Sequence, residues 1–292
     1  MKTKVRGTFS LLFATLIWGS AFIAQSVGMD LIGPFTFQAI RCGLAVIFLI
    51  LASLVFDKSN LRQFAAKWAN PQLWKSGLIC GVALFVAASL QQVGLLYTDA
   101  GKAGFITAMY IVLVPVLGLF LKRKPPRSTL FSVALAVAGL YLLSCLGVSG
   151  INKGDLLMMG CALAYAVQIT CIDLVAGDLD GLRLNCVQAL VVTALSLPFT
   201  FLTEPLNMGN IAACWLPLCY AGVLSMGVAY TLQIVGQKAL EPTTASLIMS
   251  LESVIAALCG WLILKESMTI TELVGCGLVF GAVVISQLPE KK

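Results

Sequence analysis

An all-α membrane protein of ten transmembrane helices, arranged as two inverted five-helix repeats, is the fold this sequence predicts, and three observations predict it. The chain is too apolar for a water-soluble domain of its length: 59% of its 292 residues are hydrophobic, 11% are charged and the mean hydropathy is +0.96. Apolar stretches of about 18 to 24 residues recur from end to end, and a helix needs about 20 to cross a ~30 Å hydrocarbon layer. A polar signature set in this background then occurs twice, as LQQVG at 90–94 and LQIVG at 232–236.

Charged and turn-forming clusters bound the spans at 7–28, 33–56, 74–95, 100–121, 129–146, 154–174, 183–202, 212–235, 242–264 and 271–288. The joints between them read as turns: Gly33-Pro34, Asp99-Ala100-Gly101, Pro125-Pro126, Gly177-Asp178, Glu204-Pro205 and Glu241-Pro242. The run after Lys2, Lys4 and Arg6 is too long for a signal-peptide core and nine spans follow it, so it reads as the first helix. Basic residues collect on the cytoplasmic side of short loops. With the N-terminus inside, 15 of them fall on that side, three (Lys102, Lys153, Lys265) on the other, and Arg41 inside a span. Both termini are therefore expected in the cytoplasm, in a plasma membrane of the bacterial inner-membrane type. The net charge of +6 reflects this sidedness and gives no reason to expect nucleic acid as a partner. The ten cysteines are scattered through the spans without CxxC spacing and the chain has no histidine, so they read as small apolar fillers, with neither metal nor cofactor implied.

Residues 90–144 align on 232–286 without a gap and share 12 of 55 positions, against about four or five from composition alone. Earlier spans align more weakly at an offset of 147, where Trp18 meets Tyr165, Gln38 meets Asn185 and Arg41 meets Gln188. The predicted halves are residues 1–147 and 148–292. Because five is odd, the second half enters the membrane from the opposite side. The basic loop KRKPPR at 122–127, facing the near-neutral LKESMT at 264–269, agrees with that inversion. Inverted halves are common in secondary transporters, with the solute site near midplane where the halves meet.

LIWGSAF at 16–22, LQQVGLLYTDAGKAGFITAMYIVLVP at 90–115 and SLESVIAALCGWLILKE at 250–266 resemble the drug/metabolite transporter superfamily, and within it the ten-helix EamA-like permeases. The likeness spans essentially the whole chain. It implies two five-helix repeats, a path lined mainly by the first, third, fourth, sixth, eighth and ninth spans, and transport of small metabolites or drugs, often outward. Many members carry proline after the ninth-helix glutamate where this chain has Ser253, so a kink inferred from that proline does not transfer.

The residues also argue for themselves. Glu252 lies ten residues from Pro242, about 15 Å along a helix and so near the middle of the layer. A charged carboxylate facing lipid there costs several kcal/mol, so it should face a cavity or bond a neighbouring helix. As the only acid near the middle it is the candidate for a coupling proton. Tyr110 is its repeat mate, facing the same centre from the other half. Trp18 and Gln25 share a stripe of the first helix with Ala14 and Ala21, while Tyr165 and Gln168 lie three apart on the sixth. Gln91 and Gln233 are repeat mates, suited equally to lining a path or clamping helices, and Gln92 adjoins the first of them. Arg41 is read as a buried structural charge. Ser246, Ser250 and Ser253 form a separate small-residue stripe for helix packing, and Pro115 and Pro198 are expected to kink their helices.

A membrane enzyme would call for clustered acids, histidines or metal ligands at a helix end. The sequence has no histidine and no P-loop, and Asp173, Asp178 and Asp180 read as a solvated turn, so no catalytic residue is assigned. The reading is a secondary transporter, an exporter by resemblance, that moves a small-molecule solute across the lipid bilayer by alternating access as a monomer or homodimer. A channel or a non-transporting sensor is the alternative.

Overall fold

A computed structural model describes residues 2–98, 100–144, 152–263 and 268–287. All regular structure among them is helical. The first half runs α1 (Lys2–Met29), α2 (Pro34–Phe56), a short α3 (Leu61–Trp68), α4 (Pro71–Gly94), α5 (Ala100–Ala108), α6 (Tyr110–Phe120) and α7 (Arg127–Ser144). The second runs α8 (Lys153–Val175), α9 (Gly181–Thr203), a short α10 (Met208–Ala213), α11 (Trp215–Cys219), a π-helical stretch (Tyr220–Ala229), α12 (Tyr230–Gln237), α13 (Pro242–Met249), α14 (Leu251–Ile263) and α15 (Ile270–Gln287). With α5–α6, α11 through α12 and α13–α14 each taken together, nine spans among the described residues are long and apolar enough to cross a membrane, and Arg127–Leu143 is a shorter apolar tenth. All ten predicted spans are thus present within a few residues of their expected bounds.

Helix starts follow from local chemistry. Pro34 opens α2 after Gly33, and the Glu204 carboxylate, arriving from the far end of α9, accepts from Phe35 N and Thr36 N at 2.8 Å each and from the Thr36 hydroxyl at 2.6 Å. Asn152 and Asp155 form a reciprocal capping box on α8. Asn70 with Pro71 opens α4, and Asp180 opens α9.

The fourth and ninth spans are each interrupted, at Met109 and at Ser250. In the gapless alignment Ser250 falls opposite Ala108, one residue from Met109, so the two breaks nearly coincide. Pro115 and Pro198, expected to kink their helices, lie inside the helical segments α6 and α9. Interruption occurs where side chains and carbonyls find other partners. Asn185 Nδ2 donates to Met226 O and Gly227 O at 2.8 and 3.1 Å, which draws two carbonyls of the π-helical stretch out of the regular ladder.

Packing is organised around the middle of the chain. α4 packs on α8 and α9, and α2 packs on α9 and the π-helical stretch. α1 packs on α12, the π-helical stretch and α13–α14, and α8 packs on α5 and α6. Exchanging the first five spans for the last five maps each of these contacts onto another of the set. α7 pairs mainly with α15, so closely that a Cβ on Gly139 would lie 2.8 Å from Gly275 O and one on Gly275 would lie 2.6 Å from Gly139 O. The serine stripe packs as expected: Ser246, Ser250 and Ser253 are buried, and Ser253 Oγ donates to Gly104 O of α5 at 3.2 Å.

Candidate functional site

The inward faces of the central helices leave a polar cavity between the two halves of the chain. Its wall comes from α1 (Trp18, Phe22, Gln25), α2 (Arg41), α4 (Gln91), α6 (Tyr110), α8 (Tyr165, Ile169), the π-helical stretch (Ser225), α12 (Tyr230, Gln233), α13 (Met249) and α14 (Glu252). α7, α9 and α15 contribute nothing to it. The six spans that the resemblance implied are therefore all represented, together with the second, which it placed at the periphery.

Helical periodicity explains who faces inward. Ala14, Ala21 and Gln25 are buried and Trp18 is partly buried, so the predicted stripe of α1 is its interior face. The breaks at Met109 and Ser250 put Tyr110 and Glu252 in the first turns of α6 and α14, and the Tyr110 hydroxyl donates to Glu252 Oε1 at 3.2 Å. The two repeat mates thus meet at the cavity wall.

A second cluster is built on tyrosines. Tyr165 OH donates to Gln91 Oε1 at 3.3 Å and lies 3.3 Å from Tyr230 OH. The Tyr230 ring packs edge-on against Trp18, with centroids 4.9 Å apart. A third is charged. Arg41 Nη1 donates to Gln25 Oε1 at 2.9 Å, the same oxygen accepts from Gln92 Nε2 at 3.0 Å, and the guanidinium lies 5.8 Å from the Phe37 ring centroid.

Three of the lining side chains also carry buried polar atoms without a partner among the described residues: the donors Trp18 Nε1 and Arg41 Nε, and the acceptor Gln233 Oε1. Buried polar atoms without partners are uncommon and costly, and at a cavity they are groups a solute can satisfy.

Seven of the residues read from the sequence as path lining do line the cavity: Trp18, Gln25, Gln91, Tyr110, Tyr165, Gln233 and Glu252. Gln92 and Gln168 do not. Gln92 sits about 100° round α4 from Gln91 and reaches Gln25 from behind. Gln168 is fully buried between Gln233, which donates to it at 3.2 Å, and Gln188, to which it donates at 3.2 Å. Arg41, read as a buried structural charge, faces the cavity and braces Gln25 as well. Of the lining residues the sequence reading missed, Phe22, Ile169, Tyr230 and Met249 each lie three or four positions from one it named, which is the signal that would have found them. Ser225 lies in the π-helical stretch, where that spacing does not hold.

Gln91 and Gln233 differ in what they support, so their loss should differ too. Gln91→Leu leaves Tyr165 its contact with Tyr230 and should lower solute flux with little loss of folded protein. Gln233→Leu strands a buried acceptor on Gln168, at about 1–3 kcal/mol, and should lower thermal stability as well as flux. Flux and melting temperature measured on the same purified samples check both, and equal stability losses would contradict the assignment.

Comparison with known proteins agrees with this architecture. The EamA-like transporter family matches residues 5–145 and again residues 152–287. An uncharacterized transporter of Archaeoglobus fulgidus is 33% identical over 286 residues, covering 98% of this chain and 87% of that protein. The threonine/homoserine exporter RhtA of Escherichia coli is 27% identical over 282 residues, covering 94% and 89%. A solved crystal structure shares the fold, with a TM-score of 0.73 at 19% identity over 94% of this chain and 96% of that one. The chain belongs to the EamA-like transporter family of the drug/metabolite transporter superfamily, and it is a multi-pass membrane transporter.

Proposed function

We propose that the chain exports a small zwitterion, a neutral amino acid, in exchange for protons, by alternating access of two inverted repeats formed by residues 1–147 and 148–292. The observation that carries the solute class is a single cavity lined by one guanidinium, Arg41, and one carboxylate, Glu252, with Trp18 Nε1 and Arg41 Nε lacking partners among the described residues. A solute carboxylate fits the two donors, and an ammonium fits Glu252 and Gln233 Oε1. Opposite charges in one low-dielectric site select molecules that carry both. The name of RhtA, a threonine/homoserine exporter, points to the same chemistry in a relative. The symmetric packing, the near-coincident breaks at Met109 and Ser250 and the meeting of Tyr110 with Glu252 support the inverted repeat.

Counterflow in proteoliposomes tests the solute. Labelled threonine should exchange against unlabelled neutral amino acids, and be poorly displaced by lactate or ethanolamine, which each carry one charge only. Equal displacement by these compounds would remove the zwitterion, and a non-saturable flux would favour the channel.

The inverted orientation has its own test. In a cysteine-free background, a cysteine at Lys124 should be protected from an impermeant thiol reagent in intact cells while one at the exposed Asn210 reacts. Labelling of both from one side would exclude the inversion. Ser267 and Lys292, the corresponding outer loop and C-terminus, lie outside the described residues.

A further inference from the structure

Away from the cavity, an apolar groove opens on the outer surface of the helix bundle, lined by Val46, Ile50 and Leu54 of α2, Cys186, Val187 and Leu190 of α9, Trp74 of α4, and Phe64, Ala65 and Trp68 of α3. α9 packs closely on both α2 and α4 and forms the floor between them. Val46, Ile50 and Leu54 recur every four residues, so they present one continuous apolar ridge, about 12 Å long. No charged side chain lines it.

α3 roofs one end of this groove. On a helical wheel Leu61, Phe64, Ala65 and Trp68 fall within about 100° of one another, with Arg62 and Lys67 flanking that face on either side. That is the pattern of a helix lying in the membrane interface. Its C-terminal end is held twice: Trp74 Nε1 donates to Trp68 O at 2.7 Å, and Lys67 bonds both Asp57 oxygens at 3.0 Å. Arg183 pairs with Asp57 and lies over the Phe64 and Trp68 rings, 5.3 and 5.6 Å from their centroids. While Lys67 and Arg183 are committed to Asp57, Lys58 in the α2–α3 turn, Arg62 in α3 and Lys75, next to Trp74 in α4, are exposed and make no ion pair among the described residues, on the side of the chain richest in basic residues.

We propose that this groove is a binding site for an anionic phospholipid of the leaflet on the basic side. One acyl chain lies along the ridge of α2 and the floor of α9, and the headgroup phosphate is held at the roof by Arg62 and Lys75. An uncharged apolar trough continuing into unpaired basic side chains matches a lipid with an acidic head and does not match a zwitterionic one equally well. Because the roof residues Phe64 and Trp68 also carry Arg183, an occupied groove holds α3 against the ion pair that joins the α2–α3 turn to α9.

Native mass spectrometry of the detergent-purified protein, titrated with phosphatidylglycerol or with phosphatidylcholine of the same acyl chains, tests this. The expected result is one phosphatidylglycerol retained at least tenfold more tightly than phosphatidylcholine. Arg62→Gln with Lys75→Gln should erase that preference, and Leu190→Trp, at an exposed position on the groove floor, should reduce retention of both lipids. Lys122→Gln with Arg127→Gln, which removes the same charge from the same side away from the groove, should keep the preference. Absence of a preference in the unaltered protein, an equal loss in the control pair, or a protein dimer that Leu190→Trp disrupts in place of lipid retention would each overturn the proposal.

Discussion

Replacing Glu252 by glutamine is expected to abolish accumulation of solute against its gradient, while exchange at equal concentrations continues with a raised KM because the solute ammonium loses its charged partner. The substitution keeps an acceptor for the Tyr110 hydroxyl, so the local geometry survives while the capacity to hold and release a proton and the charge facing the solute ammonium are lost. Exchange of one proton for one neutral zwitterion lets a pH difference of one unit sustain about a tenfold solute gradient, equivalent to ~1.4 kcal/mol. In proteoliposomes with an imposed pH gradient, the unaltered protein should approach that ratio per unit and the variant should settle near one. A variant that still follows the pH gradient would show that the coupling group lies elsewhere, and facilitated diffusion or another ion would become the better account.

Arg41→Leu should be the most damaging change to solute affinity. Loss of a hydrogen bond to a charged group costs about 1.5–3 kcal/mol, so the apparent KM for exchange should rise roughly ten- to a hundredfold. Arg41→Lys retains charge without the planar fork and should recover only part of it. The variant also frees Gln25 Oε1, which still accepts from Gln92, so the wall of α1 keeps one of its two ties. An unchanged KM with a lower melting temperature would reduce Arg41 to a brace for Gln25.

Ten spans and most of the cavity wall were legible in the sequence because both rest on strong, local signals. The spans follow from uninterrupted apolar length, and Trp18, Gln25, Gln91, Tyr110, Tyr165, Gln233 and Glu252 follow from polar or aromatic groups in positions where lipid would penalise them. What escaped depends on partners that lie far off in sequence. The π-helical stretch is apolar like its neighbours, and Asn185, some forty residues earlier, donates to the carbonyls of Met226 and Gly227, the second of which also accepts from the Thr231 hydroxyl. The breaks at Met109 and Ser250 carry no proline, so no local signal marks them. Nor could a single helix reveal that Arg41 turns toward Gln25 on the next helix rather than away from it. The amphipathic α3 was hidden by its length: eight residues between two long spans read as a loop.

The chain of amides that runs from Gln233 through Gln168 and Gln188 to Asn185 has a consequence for bioenergetics. Each amide can donate and accept, but an amide side chain does not take up and release a proton near neutral pH, and the sequence contains no histidine to relay one. This chain of amides is therefore an insulator as far as hydrogen ions are concerned, although it is rich in hydrogen bonds. Under the exchange cycle proposed above, a proton crosses only while resident on Glu252, and it cannot slip along the bundle when solute is absent. Cells producing this protein in quantity should keep their proton-motive force, since an idle carrier of this design draws no current.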